Sequence, residues 1–134
     1  MHGLFHGYTN ITSPYGYRIH PISGEYKLHT GVDVGAPIGT NFVAMESGKV
    51  ILATYNGSYG NCVIIDHGNN VKTLYAHGSK ILVKTNQIVK KGQAVLAVGS
   101  TGNSTGPHAH FEIRINNNPV DPMQYFKKEW LAWY

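Results

Sequence analysis

Eight histidines stand in this 134-residue chain, and three short stretches place four of them where they can do chemistry. The first is His108-Ala109-His110. Side chains alternate along a strand, so the two rings face the same side, with Cα atoms roughly 6.6 Å apart at about 3.3 Å per residue. One ring can then bind a metal while the other acts beside it. The bland reading is a polar, solvated strand face. Phe111, Ile113 and Ile115 form the alternating apolar face, so the histidine face is a separate one that can line a groove. Glu112 shares that face with His110 and can support it as a partner behind the metal ligand.

The second stretch is "HTGVD", with His29 and Asp33 four positions apart. Gly31 and Val32 are poor helix formers, and Gly35-Ala36-Pro37 follows, so the segment is not a helix. In a straight strand the two side chains would lie about 13 Å apart. A single zinc holds its donors at about 2.0–2.2 Å, so sharing one ion requires a bend, which Gly31 permits. An imidazole with a carboxylate suits zinc, not the all-oxygen shell of calcium. The third stretch is "VKTLYAH". By the period-two rule Val71, Thr73, Tyr75 and His77 share a face, so Tyr75 and His77 look into one groove. The alternative is a strand-end histidine in solvent.

Other chemistries lack their signatures. There is no H-E-x-x-H helix and no G-x-S-x-G elbow. "GSTGNSTG" lacks the G-K-[ST] ending of a phosphate loop and leads into a strand. Cys62 is the one cysteine, which excludes an intrachain disulfide, and "NCVIIDH" reads as a buried strand. The net charge of +4 fits an anionic partner, either nucleic acid or an anionic bacterial wall. Basic residues cluster only as the pairs Lys90-Lys91 and Lys127-Lys128, with no basic-aromatic motif, and a nucleic-acid partner is not expected.

Short strands and tight turns must position these residues. The chain is 42% hydrophobic and 13% charged, with 16 Gly and 6 Pro, which suits one turn-rich folded domain. Strands are expected on both sides of Ser47-Gly48, in a hairpin turning at Gly68-Asn69-Asn70, around Lys91-Gly92, and from His108 into an Asn-rich turn. A short C-terminal helix is expected after Asp121-Pro122. The whole reads as an all-β, antiparallel folded sheet or sandwich in a single domain, 1–134. Residues 1–12 form a lead-in arm, about 13–126 the core, and 127–134 an aromatic tail. "MHGLFHGYTN" lacks the cationic start and apolar run of a signal peptide, and no segment reaches the ~20 apolar residues of a membrane span.

Together these motifs resemble the lysostaphin-type, or LytM-like, zinc metallopeptidases that cut peptidoglycan cross-bridges. The family's H-x-x-x-D matches His29 to Asp33, its H-x-H matches His108 to His110, and its Tyr-x-His matches Tyr75-Ala76-His77. "YGYRIHP", "VKKGQAVLAVGSTGNSTGPH" and "NPVDPMQYF" extend the likeness from about Ser13 to Phe126. The resemblance implies a folded sandwich of the duplicated hybrid motif type. It implies one Zn²⁺ held by His29, Asp33 and His110, with His77 and His108 as the catalytic pair. Three protein ligands leave a fourth position for water. One histidine then takes the water's proton, and the other steadies the oxyanion or protonates the leaving amine; the resemblance assigns these jobs to the pair and not to either ring. Tyr26 can help hold the oxyanion.

One position departs from the family: Gly78 stands where Leu is usual, which alters packing under His77 and not the chemistry. "YRIHPISG" is closer to the members that cut the D-Ala to diamino-acid cross-link than to those that cut glycine bridges. The glycine-bearing loops Asn56–Gly60 and Gly99–Gly102 are expected to let a peptide lie close to the backbone. The partner implied is peptidoglycan, met in the wall, in the periplasm or by a phage particle, by a monomeric domain acting alone or within a larger protein. The alternative is a non-catalytic wall-binding or scaffold domain on the same fold, which would bind no zinc and cleave nothing.

Overall fold

The computed structural model describes residues 11–13, 15–19, 22, 24, 26–102 and 106–122. The lead-in arm through residue 10, the expected helix beyond Pro122 and the aromatic tail lie outside them. Twelve strands make up nearly all of the described chain. The first five are short: β1 (Ile11–Ser13), β2 (Gly16–Ile19), β3 (Tyr26–His29), β4 (Val32–Gly35) and β5 (Asn41–Val43). β6 (Gly48–Tyr55) leads through a 3₁₀ turn, Gly57–Tyr59, into β7 (Asn61–Gly68) and the long β8 (Val71–Ile81). β9 (Ile88–Val89), β10 (Ala94–Val98), β11 (His108–Ile115) and β12 (Asn118–Val120) complete the set.

Every described pairing is antiparallel, as the short connections favour. One ten-stranded sheet runs β1-β4-β11-β8-β7-β6-β9, and β2 and β3 form a separate hairpin. β8 folds the sheet over itself. Its first part lies between β7 and β11, while its far end pairs with β10, which in turn pairs with β5. The hairpin turns follow the sequence. Asn69 and Asn70 have φ of 54° and 64°, the two-residue left-handed geometry of a type I′ turn, and Asn116 and Asn117 repeat it at 53° and 65°.

The core fills the inside of this fold. Phe42, Tyr75 and Phe111 stack there with ring centroids 4.9 to 6.2 Å apart, none with any exposed surface. Alternation along β11 gives Phe111 and Ile113 to the core, and leaves His108, His110 and Glu112 on the other face. Cys62 is fully buried in β7, as its strand context requires, in a smaller cluster with Leu74 and Ala76 under the histidine face. Among the described residues, no helix is long and apolar enough to cross a membrane.

Gly78 has a packing reason for its identity. A Cβ built there would lie 2.4 Å from Leu96 Cδ1, and Leu96 is fully buried. Leu96 thus fills the space beside residue 78. We expect Gly78→Ala to cost about 1–3 kcal/mol by overpacking. In a Leu96→Ala background, the same change should cost less, because the clash is relieved. Urea unfolding of the four proteins in the cycle measures both numbers, and equal costs in the two backgrounds would contradict the packing account.

Candidate metal centre and its flanking histidines

Two neighbouring strands set the site. β11 pairs with β4 in the register His110↔Asp33, so these two side chains lie side by side on the histidine face. His29 closes β3, and the chain turns through Thr30-Gly31 into β4, which brings His29 back beside Asp33. The bend expected from the sequence is there, but Gly31 is needed for a different reason. A Cβ on it would sit 2.1 Å from the Phe111 carbonyl oxygen, so it is the close approach of the bend to β11 that excludes a side chain.

The three side chains are buried, at 7% exposed for His29, 8% for Asp33 and 5% for His110. Asp33 Oδ1 lies 3.2 Å from His29 Nε2 and 2.8 Å from His110 Nδ1. One donor atom from each residue falls within 4.8 Å of the others. A tetrahedral zinc with bonds near 2.1 Å spaces its donors about 3.4 Å apart, so two imidazoles and a carboxylate so gathered fit the ion in type and spacing.

His108 and His77 flank this triad. His108 Nε2 is 3.8 Å from Asp33 Oδ1, and its Nδ1 donates to the Gly106 carbonyl at 2.8 Å. His77 Nδ1 donates to the Thr101 carbonyl at 2.8 Å. A carbonyl can only accept, so both rings carry a proton on Nδ1 and keep Nε2 for other work. The His77 ring centroid is 5.0 Å from that of His108 and 5.9 Å from that of His110.

Strict alternation does not put His77 there. Tyr75 faces the core and Ala76, opposite His110, faces the site, so the next residue should point inward again. His77 instead takes a left-handed φ of 62°, costly for a residue with a Cβ, which returns its ring to the site face. The backbone around it holds that conformation. Thr101 Oγ1 donates to the Gly78 carbonyl at 2.6 Å and accepts from the Asn61 amide at 3.1 Å. Gly60 and Gly102 let the two loops meet: a Cβ on Gly102 would lie 2.3 Å from the Gly60 amide nitrogen. Gly60 and Gly102 therefore serve loop-to-loop packing, a use the sequence did not suggest.

The break in alternation also corrects the reading of Tyr75. It does not share a groove with His77. It is fully buried in the core, and its hydroxyl accepts from the Met45 amide at 3.1 Å and pairs with Thr73 Oγ1 at 2.7 Å. Tyr26 stands at the outer end of β3, 72% exposed and three residues before His29, outside the buried cluster. Glu112 lies where the sequence puts it, fully buried, with Oε2 accepting from His110 Nε2 at 2.8 Å. Around it stand Thr30, Tyr59 and Arg114, which the sequence reading did not single out. Arg114 was within reach, since alternation puts it on the Glu112 face; Thr30 and Tyr59 arrive from distant segments and carry no spacing signal.

The protonation pattern follows from these contacts. Burial pushes the Asp33 carboxyl up, but hydrogen bonds from His110 and then His29 outweigh it and hold the group well below the usual carboxylate range. Burial pushes His110 down, yet Asp33 and then Glu112 raise it to about 9. Burial likewise pushes Glu112 up, and the His110 hydrogen bond leads the contacts that bring it down to about 2. Burial, helped by the neighbouring His110 and His108, takes His77 down to about 4 against the opposing pull of the Thr101 carbonyl and Asp33, leaving it neutral at pH 7. Without metal, His110 is an imidazolium bridging two carboxylates; a cation taking its Nδ1 must displace that proton.

Known proteins are similar to this chain in both sequence and fold. Residues 27–122 match the sequence profile of peptidase family M23. The DD-carboxypeptidase/endopeptidase Mpg of Neisseria meningitidis serogroup B is 49% identical over 116 residues, covering 87% of this chain but 27% of that protein. The chain thus spans about a quarter of that relative's length. A zinc-containing peptidase from Vibrio cholerae superposes with a TM-score of 0.84 at 41% identity, over 91% of this chain and 38% of that one. The catalytic domain of the antimicrobial peptidase lysostaphin from Staphylococcus simulans gives 0.80 at 35% identity, over 88% and 91%.

The coupled charges predict how metal-free stability depends on pH. Folding raises His110 from 6.5 to about 9, so its contribution is complete below pH 6.5 and is lost as pH rises through about 9. Folding lowers Glu112 from 4.5 to about 2, so its contribution is present above 4.5 and is lost as pH falls toward 2. Urea midpoints measured with a chelator present should peak between these limits and fall on both sides. A midpoint that stays flat from pH 6.5 to 9 would contradict the assignment for His110.

Proposed function

Because the chain belongs to peptidase family M23, we propose that it is a zinc-dependent endopeptidase hydrolysing peptide cross-links of bacterial peptidoglycan. The observation that carries this reading is the convergence of three buried donor atoms within 4.8 Å of one another, beside two more imidazoles. His29, Asp33 and His110 hold one Zn²⁺, and His77 and His108 are the catalytic pair.

When bound, zinc polarises the scissile carbonyl and brings the pKa of a water toward about 7. The remaining work falls to side chains of this chain. His77, neutral and fixed by the Thr101 carbonyl, offers Nε2 to accept the proton that the attacking water gives up. His108 keeps Nε2 on the triad side, where it serves the carbonyl oxygen or the departing amine. Two histidines held by main-chain carbonyls need no reorientation during the reaction, and that saves reorganisation in the transition state. Glu112 supports His110 from behind, and Tyr26, exposed at the end of β3, contacts substrate.

The bond cut is the D-Ala to diamino-acid cross-link. Support comes from the "YRIHPISG" lead-in and from Mpg, which is named a DD-carboxypeptidase/endopeptidase. The net charge of +4 favours residence on an anionic wall, in the wall itself, in the periplasm or at a phage particle. The 134 residues act as one monomeric metallopeptidase domain, alone or within a larger protein.

Digestion of defined muropeptides, weighed by mass spectrometry, tests this. A D-Ala–diamino-acid cross-linked dimer should yield its two halves, while a glycine-bridged dimer stays intact. His77→Gln and His108→Gln should each keep the zinc and lose about 10²–10⁴-fold in rate, whereas His110→Ala should lose both metal and cleavage. Cleavage retained by His110→Ala would overturn the ligand assignment. A parent chain that binds no zinc and cuts neither dimer would favour a wall-binding domain.

A further inference from the structure

Glu112 is a carboxylate with no exposed surface. Such a charge is costly unless it is both paired and fully hydrogen-bonded. Its four partners come from three segments: its own strand β11, the β3–β4 bend and the 3₁₀ turn. Oε2 accepts from His110 Nε2 at 2.8 Å, from the Thr30 hydroxyl at 2.6 Å and from the Tyr59 hydroxyl at 2.7 Å. Oε1 accepts from Arg114, with Nε and Nη2 each at 2.8 Å. Arg114 Nη2 also donates to the Tyr59 hydroxyl at 3.1 Å, which orients that hydroxyl's own proton toward Glu112. The Tyr59 ring lies over His110, with centroids 5.8 Å apart and planes inclined by 31°.

This set does two things at once. A carboxylate only accepts, so the proton on the far side of His110 stays on Nε2, and Nδ1 is the nitrogen offered toward Asp33. Thr30 follows His29 directly, so its bond to Glu112 also pins the bend that carries His29 to the triad. One carboxylate therefore fixes two ligand-bearing segments.

We propose that Thr30, Tyr59 and Arg114 are positioning residues for the metal centre: they clamp the Glu112 carboxylate so that His110 and His29 are held ready for the ion. The inference rests on the zinc reading above and assigns a role to three residues that act through Glu112. Tyr59 rides on the 3₁₀ turn Gly57–Tyr59, so metal affinity is tied to a loop separated from the ligands in sequence by more than twenty residues.

Zinc affinity, measured by chelator competition on the intact chain, tests the clamp without using activity. Thr30→Val and Tyr59→Phe remove one hydroxyl each and should weaken zinc binding about 10- to 100-fold, the range seen when outer partners of a ligand are removed. Thr30→Ser keeps the hydroxyl and should restore affinity to within about two-fold of the parent, a recovery that a general packing role for the Thr30 methyl would not give. The visible spectrum of the cobalt-substituted protein should shift in Tyr59→Phe and stay unchanged in Thr30→Ser. Arg114→Lys tests the planar fork and should weaken binding in the same direction. If the parent binds one zinc and Thr30→Val and Tyr59→Phe bind it equally well, the clamp is overturned while the metal centre stands. A parent that takes up no zinc would overturn the metal centre and the clamp with it.

Discussion

The register of β11 against β4 is the constraint on which the rest depends. His110 opposite Asp33 puts an imidazole and a carboxylate on one face at cross-strand distance. The same register puts Phe111 opposite Val32, both fully buried. A slip by one residue would turn Phe111 outward and push a carboxylate and two imidazoles into the core. The hydrophobic interior therefore enforces the geometry of the polar face. Gly31 closes the arrangement, since only a residue without a side chain lets the β3–β4 bend approach the Phe111 carbonyl.

The polar face then solves a charge problem. Asp33, His110, Glu112 and Arg114 form a chain of alternating sign, with His29 joined to its Asp33 end, each linked to the next at 2.8 to 3.2 Å. Every buried carboxylate has a cation or a donor beside it, which is the condition for keeping such charges inside. In the metal-free chain the doubly protonated His110 ring bridges two carboxylates, one N–H to each. On the proposed reading, a divalent cation would take over the Asp33 side of that bridge, and Glu112 would remain to hold the other nitrogen. The donor atoms thus lie close together, and a cation taking Nδ1 would have to displace one proton. His77 and His108 are each anchored to a main-chain carbonyl, and on the proposed reading they act on protons while the others hold metal.

Much of this was legible in the sequence. The alternation of His108, His110 and Glu112 with Phe111 and Ile113 gave both faces of β11, and paired asparagines marked two hairpin turns. The need for a bend between His29 and Asp33 followed from distance alone. What failed was the extension of the period-two rule to the end of β8. His77 leaves the β region, so Tyr75 falls in the core and His77 returns to the site, and no propensity argument places a histidine at positive φ. The glycines of the two loops were read as room for a peptide, because glycine in a loop signals close approach without saying to what. At Gly60 and Gly102 the approach is of one loop to the other. Thr30 and Tyr59 could not be read at all: their link to Glu112 spans 82 and 53 positions and exists only once the sheet has folded over.

The central claim is that one metal ion sits among His29, Asp33 and His110 while His77 and His108 remain unligated. Anomalous diffraction at the zinc edge from crystals of the zinc-loaded protein tests it most directly. The account predicts a single strong peak about 2.0–2.2 Å from His29 Nε2, Asp33 Oδ1 and His110 Nδ1, with both flanking rings still bonded to the carbonyls of Thr101 and Gly106. A peak ligated by His77 or His108, or by His110 through Nε2 with Glu112 displaced, would contradict it.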